Sequence, residues 1–422
     1  MPAGVPGCRM RPLLVRLHRW FGLGIAAFLF VAGLTGAVIA WDHELDGMLN
    51  PSFFHSATEG APLPALELAT RLEAKEPHAV VTFMPLSVEP GHTWIARVAP
   101  RIDPHTAQPY PLDFNQVALD PATGEEQGRR MWGKASLARL NLIPFLYQLH
   151  YTLFLPTKMG IDFGVWTMGV VGMVWLLDGF IAIVLAFPSL KSWRKSLAFR
   201  VKRGGYALTF DLHRSGGVWL WGLLIVVAVT SISMNLGAQV VRPVVSVFST
   251  LTPDPFRSVA PGPALTPAET TAARARIVSE AAEVGRREGI TAPPGGLFAV
   301  PAFGVFGVGY YGAGNDHGDA GLGNPWLVLN ARTGQVLGKQ IPGQGSAGDI
   351  FIQAQFPLHS GRIVGLPGRI AISFTGLAVA MLSVTGVLIW LKKARARRKP
   401  AKQGKQAKAA AGTVRTRERA TG

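Results

Sequence analysis

The chain is poor in thiols and in charge. Cys8 is the only cysteine among 422 residues, so no disulfide can form within the chain and no thiolate cluster can hold iron–sulfur or structural zinc. Charged residues make up 16% against 48% hydrophobic, and the mean hydropathy is +0.25, which excludes an ordinary soluble protein. No Gly-rich dinucleotide fingerprint is present, so a built-in nicotinamide or flavin domain is excluded too. What the chain has instead is long apolar runs. Phe21 to Trp41, Phe163 to Phe187, Val218 to Leu236 and Ile370 to Leu391 each meet the roughly 18 to 20 residues that cross a ~30 Å hydrocarbon core. The first run exceeds the roughly 7 to 15 residues of a secretory signal, and three more spans follow it, so it is taken as a permanent helix.

Basic residues outnumber acidic ones, 42 to 25, for a formal charge of +17. Their distribution argues against nucleic acid as a partner. Arg9, Arg11, Arg16 and Arg19 precede span one; Lys191, Arg194, Lys195, Arg200, Lys202 and Arg203 fill the loop between spans two and three; a dense tail runs from Lys392 to Arg419. An excess of Lys and Arg marks the cytoplasmic side of a membrane. Both termini are therefore expected in the cytoplasm, with the tail a disordered topology anchor that can touch anionic lipid.

The resulting fold class is a membrane all-α four-helix bundle with two small extracytoplasmic α+β domains. The segments are a cytoplasmic N-terminus and first helix (1–42), α+β domain 1 (43–149), an interfacial segment and second helix (150–188), and a basic loop (189–207). They recur as a third helix (208–237), α+β domain 2 (238–355), an interfacial segment and fourth helix (356–393), and the tail (394–422). In domain 1, Leu63 to Lys75 has helical spacing, and short strands are expected at Ala79–Met84, Thr93–Val98 and Phe114–Leu119. In domain 2, Thr266-Pro267-Ala268-Glu269 is a capping-box-like helix start, with strands near Leu297–Val300, Val305–Tyr311, Trp326–Leu329 and Gln335–Lys339.

Two turns match: Leu119-Asp120-Pro121-Ala122-Thr123-Gly124-Glu125 and Leu329-Asn330-Ala331-Arg332-Thr333-Gly334-Gln335. Histidines match as well. Leu17-His18-Arg19 opens span one and Leu212-His213-Arg214 opens span three; Leu149-His150 and Leu358-His359 lead into spans two and four. The pattern implies two parallel repeats, related by an axis along the membrane normal. Such an axis sets His18 opposite His213 on the cytoplasmic side and His150 opposite His359 on the outer side. Two haems, each between a histidine pair, are the simplest reading, and without C-x-x-C-H they would be held non-covalently. Arg19 and Arg214 either hold haem propionates or serve topology alone; Lys158, Arg362 and Arg369 are weaker candidates on the outer side. Pro156 and Gly160, and likewise Gly365, Pro367 and Gly368, separate the outer histidines from their spans, so a shallow site on bent interfacial segments is expected. His43 is the rival ligand there. Asp178, an acid inside span two, either carries a proton or pairs near the inner site, or is simply hydrogen-bonded within the bundle. Trp20, Trp166, Trp219 and Trp326 are taken as interfacial or core residues. His55, His78, His92, His105 and His317, which show no H-x-x-x-H spacing, are taken as surface residues.

These motifs resemble the PepSY-associated transmembrane family: an LHRW-x-G-x-G first helix, a DLHR-x-x-G-x-W third helix, LH before helices two and four, and Thr-Gly turns in α+β domains. The resemblance covers roughly residues 13 to 393. It implies PepSY-like domains, two b-type haems ligated by His18, His213, His150 and His359, and a multi-pass protein of the bacterial inner membrane. It also implies electrons delivered outward to ferric iron, as a ferric siderophore or other chelate, for iron acquisition. The donor would be a cytoplasmic reductase or a membrane quinol. The alternatives are a haem subunit serving another periplasmic acceptor and a haem-free regulator or transporter accessory protein.

Overall fold

The computed structural model describes residues 7–189, 191, 193–255, 259, 265–318 and 320–418; the side chains of Cys8, Arg9 and Ala302 and those beyond 397 are not described, and the last residues of the basic tail, 419–422, lie outside the described ones. Helix α1 (Gly7–Ile39) is followed by α2 (Asp42–Leu49), α3 (Pro51–Phe54) and α4 (Ala65–Lys75). Strands β1 (Ala79–Pro85), β2 (Trp94–Pro100), β3 (Gln116–Leu119) and β4 (Glu126–Arg130) come next, then α5 (Leu142–Thr152), the hairpin β5 (Thr157–Lys158) and β6 (Ile161–Asp162), and α6 (Phe163–Ala186). After α7 (Trp193–Leu197) come α8 (Gly205–Leu236), α9 (Arg242–Ser246) and α10 (Pro267–Arg287). Strands β7 (Pro294–Val300), β8 (Val305–Tyr310), β9 (Trp326–Asn330) and β10 (Val336–Gln340) precede α11 (Ala347–Ser360) and α12 (Leu366–Glu418).

Among the described residues, four helical stretches are long and apolar enough to cross a membrane: Met10–Ile39, Phe163–Ala186, Gly205–Ser246 and Leu366–Arg397. They contain the four apolar runs, apart from a residue or two at the ends of the first two. Helices α1 and α8 begin well before their apolar runs, so His18 and His213 sit inside helices. Helix α12 continues to Glu418, where composition suggested disorder; the tail is rich in Ala, Lys, Gln and Arg, all strong helix formers.

The chain divides into two compact units. One comprises residues 1–34, 170–229 and 375–422; the other comprises 35–169 and 230–374. In the first, a Cβ on Gly33 would meet the Gly376 carbonyl oxygen at 2.5 Å. Only glycine lets the backbones of α1 and α12 come this close, as small residues do at membrane helix contacts.

In the second unit the two α+β segments share one antiparallel sheet, where the sequence suggested two separate domains. Its order is β10-β9-β8-β7-β1-β2-β3-β4. The halves join where β1 pairs with β7, Phe83 against Phe298, Met84 against Leu297 and Pro85 against Gly296. Separate four-stranded sheets would leave β1 and β7 as open edges, and pairing them satisfies both ladders. One core serves both halves: Leu68 and Leu72 of α4 and Ile277 of α10 pack with Trp94, Val117, Phe306 and Leu327 of the sheet. Thr266 caps α10 through a full capping box with Glu269, as its sequence predicts.

The matching turns are built alike. Asp120 Oδ1 accepts from Ala122 N and Thr123 N at 2.9 and 3.1 Å; Asn330 Oδ1 accepts from Arg332 N and Thr333 N at 2.9 and 3.0 Å. Each closes on a glycine at positive φ, Gly124 at 77° and Gly334 at 72°, a conformation that glycine alone adopts without strain. Burial works against charge on Asp120, but the hydroxyls of Thr58 and Ser56 and the two backbone N–H groups lower its carboxyl pKa to about 2.

Candidate functional site

In the first unit α1 and α8 bring His18 and His213 together, with ring centroids 6.0 Å apart and planes at 48°. Each ring is oriented through Nδ1. His18 Nδ1 lies 2.9 and 3.0 Å from the two oxygens of Asp178 on α6. His213 Nδ1 lies 3.0 Å from the Leu382 carbonyl and 3.2 Å from Thr385 Oγ1 on α12. A carboxylate and a carbonyl accept but do not donate, so each ring donates from Nδ1, and Nε2 is the nitrogen left to face a ligand. Gly386 makes room for the ring: a Cβ there would stand 3.0 Å from His213 Cε1.

A cavity of about 450 Å³ surrounds the pair, lined by Arg11, Arg19, Arg214, Phe210, Trp221 and Trp390 among others. That volume lies within the range of cofactor sites. Arg19 Nε and Arg214 Nε are buried with no hydrogen-bond partner among the described residues. Other atoms of Arg214 are engaged, since its Nη2 donates to the Lys195 carbonyl and to Asp211, which also binds Arg200. Two guanidinium N–H groups beside two imidazoles, both without an acceptor, are the polar groups an anionic ligand would satisfy.

In the second unit, His150 on α5 and His359 on α11 have ring centroids 6.1 Å apart, with planes at 58°. Again Nδ1 is the bonded nitrogen: Thr35 Oγ1 lies 3.1 Å from His150 Nδ1, and Thr230 Oγ1 lies 3.0 Å from His359 Nδ1. Thr35 follows His18 by the same number of residues as Thr230 follows His213. A Cβ on Gly36 would stand 2.9 Å from His150 Cε1. Burial pushes the His359 pKa down to about 4, and His150 adds to the shift, so the ring is neutral at physiological pH, the form a metal ligand requires.

The helices break after His150 and His359, a few residues earlier than the expected Pro156 and Gly365. Leu153 and Phe154 adopt φ of 54° and 55° after α5, and Gly361, at 77°, caps α11. Among the weaker candidates, Lys158 is exposed. Arg369 donates to the Ala40 carbonyl and to Glu44 at 2.7 Å, so it is committed to structure. His43 pairs with His317, at 4.8 Å between centroids. Asp316 beside it is disfavoured as a charge by burial, but its 2.8 Å contact with His317 Nδ1 and the nearby His43 and Arg362 hold its carboxyl below the usual range.

Sequence reasoning missed Thr35, Thr230 and Thr385 as orienting groups, although the equal offset of the first two from His18 and His213 was there to be seen. It also took His317 as a surface residue. Nothing local in the sequence joins His43 to Asp316 and His317, because only the folded chain brings them together.

The sequence profile of the PepSY-associated TM region matches residues 15–393. The chain belongs to that family. Its members are defined by this membrane region, and with four helices able to cross a bilayer the chain is a membrane protein. No curated protein matches it.

Proposed function

We propose that the chain is a di-haem b membrane oxidoreductase that carries electrons from the cytoplasmic side outward to ferric iron held by a chelator, a ferric siderophore being the substrate class that suits iron acquisition. The observation that carries this reading is the meeting of four imidazoles in two pairs, each ring held through Nδ1. Ring centroids 6.0 and 6.1 Å apart would leave room for each pair to bind one metal ion through bonds of about 2.0–2.1 Å. The duplicated turns and histidine flanks support two parallel repeats, and the basic segments support cytoplasmic termini in a bacterial inner membrane.

Bound haem supplies the one-electron Fe(III)/Fe(II) couple. The chain's own residues bind and tune it. Asp178 strengthens His18 as a donor by holding Nδ1–H with a full negative charge; His213 has only a carbonyl and a hydroxyl. Gly36 and Gly386 give the rings space, and Arg19 and Arg214 offer their unpaired N–H groups to propionates. Donor electrons come from a cytoplasmic reductase or a membrane quinol.

Purified from haem-replete cells, the protein is expected to be red, with two b-type haems per chain by pyridine haemochrome assay and an α-band on dithionite reduction. Reoxidation by ferric chelates in stopped flow then tests the acceptor. Colourless protein would sink the reading in favour of a haem-free accessory role. Asp178→Asn is expected to keep both haems and raise the midpoint potential of one; an unchanged redox titration would show that the carboxylate does not act through His18.

A further inference from the structure

We propose that His43, Asp316 and His317 form a binding site for one divalent first-row transition-metal ion. Each residue offers one donor atom, and the three lie within 4.8 Å of one another. Imidazole and carboxylate donors without thiolate suit Fe(II), Co(II), Ni(II) and Zn(II). Contact with a metal at about 2.0–2.2 Å requires donors roughly 3.4 Å apart, a contraction that side-chain rotation covers, since His43 is exposed.

Both sides of the site are anchored. The loop carrying Asp316 and His317 is pinned by Asn324, whose Nδ2 donates to the carbonyls of Asn315 and Asp316 at 2.6 and 3.0 Å. Gly314 and Gly318 take φ of 76° and 75° on either side of the two ligands, and Gly321 N donates to the Ile363 carbonyl at 2.9 Å. His43 sits at the start of α2, where Glu44 is held by Arg369. Supporting bonds of this kind fix a ligand set before the metal arrives.

The three residues line a cleft of about 530 Å³ that also presents Asp42, Glu89 and the His55–His92 pair, whose rings are 4.9 Å apart. The His317 ring lies 6.0 Å from that of Phe356, which precedes His359 by one turn of α11. The metal site stands without the haem reading. Where that reading holds, Fe(II) leaving its chelator is the ion supplied beside the outer histidine pair.

The test uses the full-length protein in detergent, with haem content recorded first. Isothermal titration with Zn(II), and anaerobically with Fe(II), is expected to show one saturable site per chain. His43→Ala and His317→Ala should each weaken it by about 100-fold. Asp316→Asn should weaken it as well, while the double substitution His55→Ala/His92→Ala should leave it unchanged. Gel-filtration profiles matching the wild type show that the variants fold. No saturable binding of either ion, binding that survives His43→Ala combined with His317→Ala, or binding lost only with His55 and His92 would each overturn the assignment. Because Zn(II) binding requires no haem, a colourless protein that binds Zn(II) refutes the redox reading alone, and a red protein that binds none refutes the metal site alone.

Discussion

Replacing His18 or His213 by alanine is expected to remove one haem per chain and leave the other, and replacing His150 or His359 is expected to do the reverse. Each pair lies within one compact unit, so the loss of one imidazole leaves the opposite pair's geometry intact. A single remaining axial ligand gives up half of the coordination that holds a non-covalent haem. The measurement is haem-to-protein ratio by pyridine haemochrome, with the low-spin bis-imidazole spectrum as a second readout. All four single variants should fall from two haems toward one, and the pairwise variant His18→Ala/His150→Ala toward none. His43→Ala serves as the control and should retain both. Loss of haem from His43→Ala but not from His150→Ala would refute the outer pairing.

The largest expected effect on stability comes from Glu73. Its carboxylate accepts from Arg274 Nη2 at 2.6 Å and Nη1 at 3.1 Å, and from Val81 N at 2.7 Å, with Arg101 Nη2 at 3.4 Å. Arg274 is 2% exposed and belongs to α10, so this one group ties the second half's helix to α4 and β1 of the first half. Glu73→Ala leaves a guanidinium buried without its anion, a loss of about 3–5 kcal/mol for a pair broken on one side. At roughly 2–4 °C per kcal/mol for a unit of this size, Tm should drop by about 6–20 °C. Tryptophan fluorescence can follow it, because Trp94 lies fully buried in the same core. Glu67→Ala removes an exposed pair with Arg71 and should change stability by less than about 1 kcal/mol. Equal Tm values for the two variants would show that the buried carboxylate does not join the halves.

Much of this molecule is legible one residue at a time. The four apolar runs, the capping box at Thr266 and the strands from Ala79 to Lys339 depend on local periodicity and turn chemistry, and the structure keeps them within a few residues. The tail is different: it was expected to be a disordered anchor, and α12 runs through it to Glu418. The pairing of β1 with β7 was not legible, since two half-sheets read as complete in themselves until their open edges meet.

The candidate site divides the same way. Which histidines to propose as ligands could be argued from their matching Leu-His flanks, a pattern that stands in the sequence itself. What orients them could not be settled there: Asp178 was one acid with several readings until its oxygens were found 2.9 and 3.0 Å from His18 Nδ1. The sequence by itself determined the spans, the clusters of basic residues and the matching Leu-His flanks, all properties of short windows of chain. Only the tertiary structure decided the single shared sheet, the hydroxyls behind the His150 and His359 rings and the gathering of His43 with Asp316 and His317. Those depend on groups far apart in the chain, whose proximity is set by helix and sheet packing and not by any local preference.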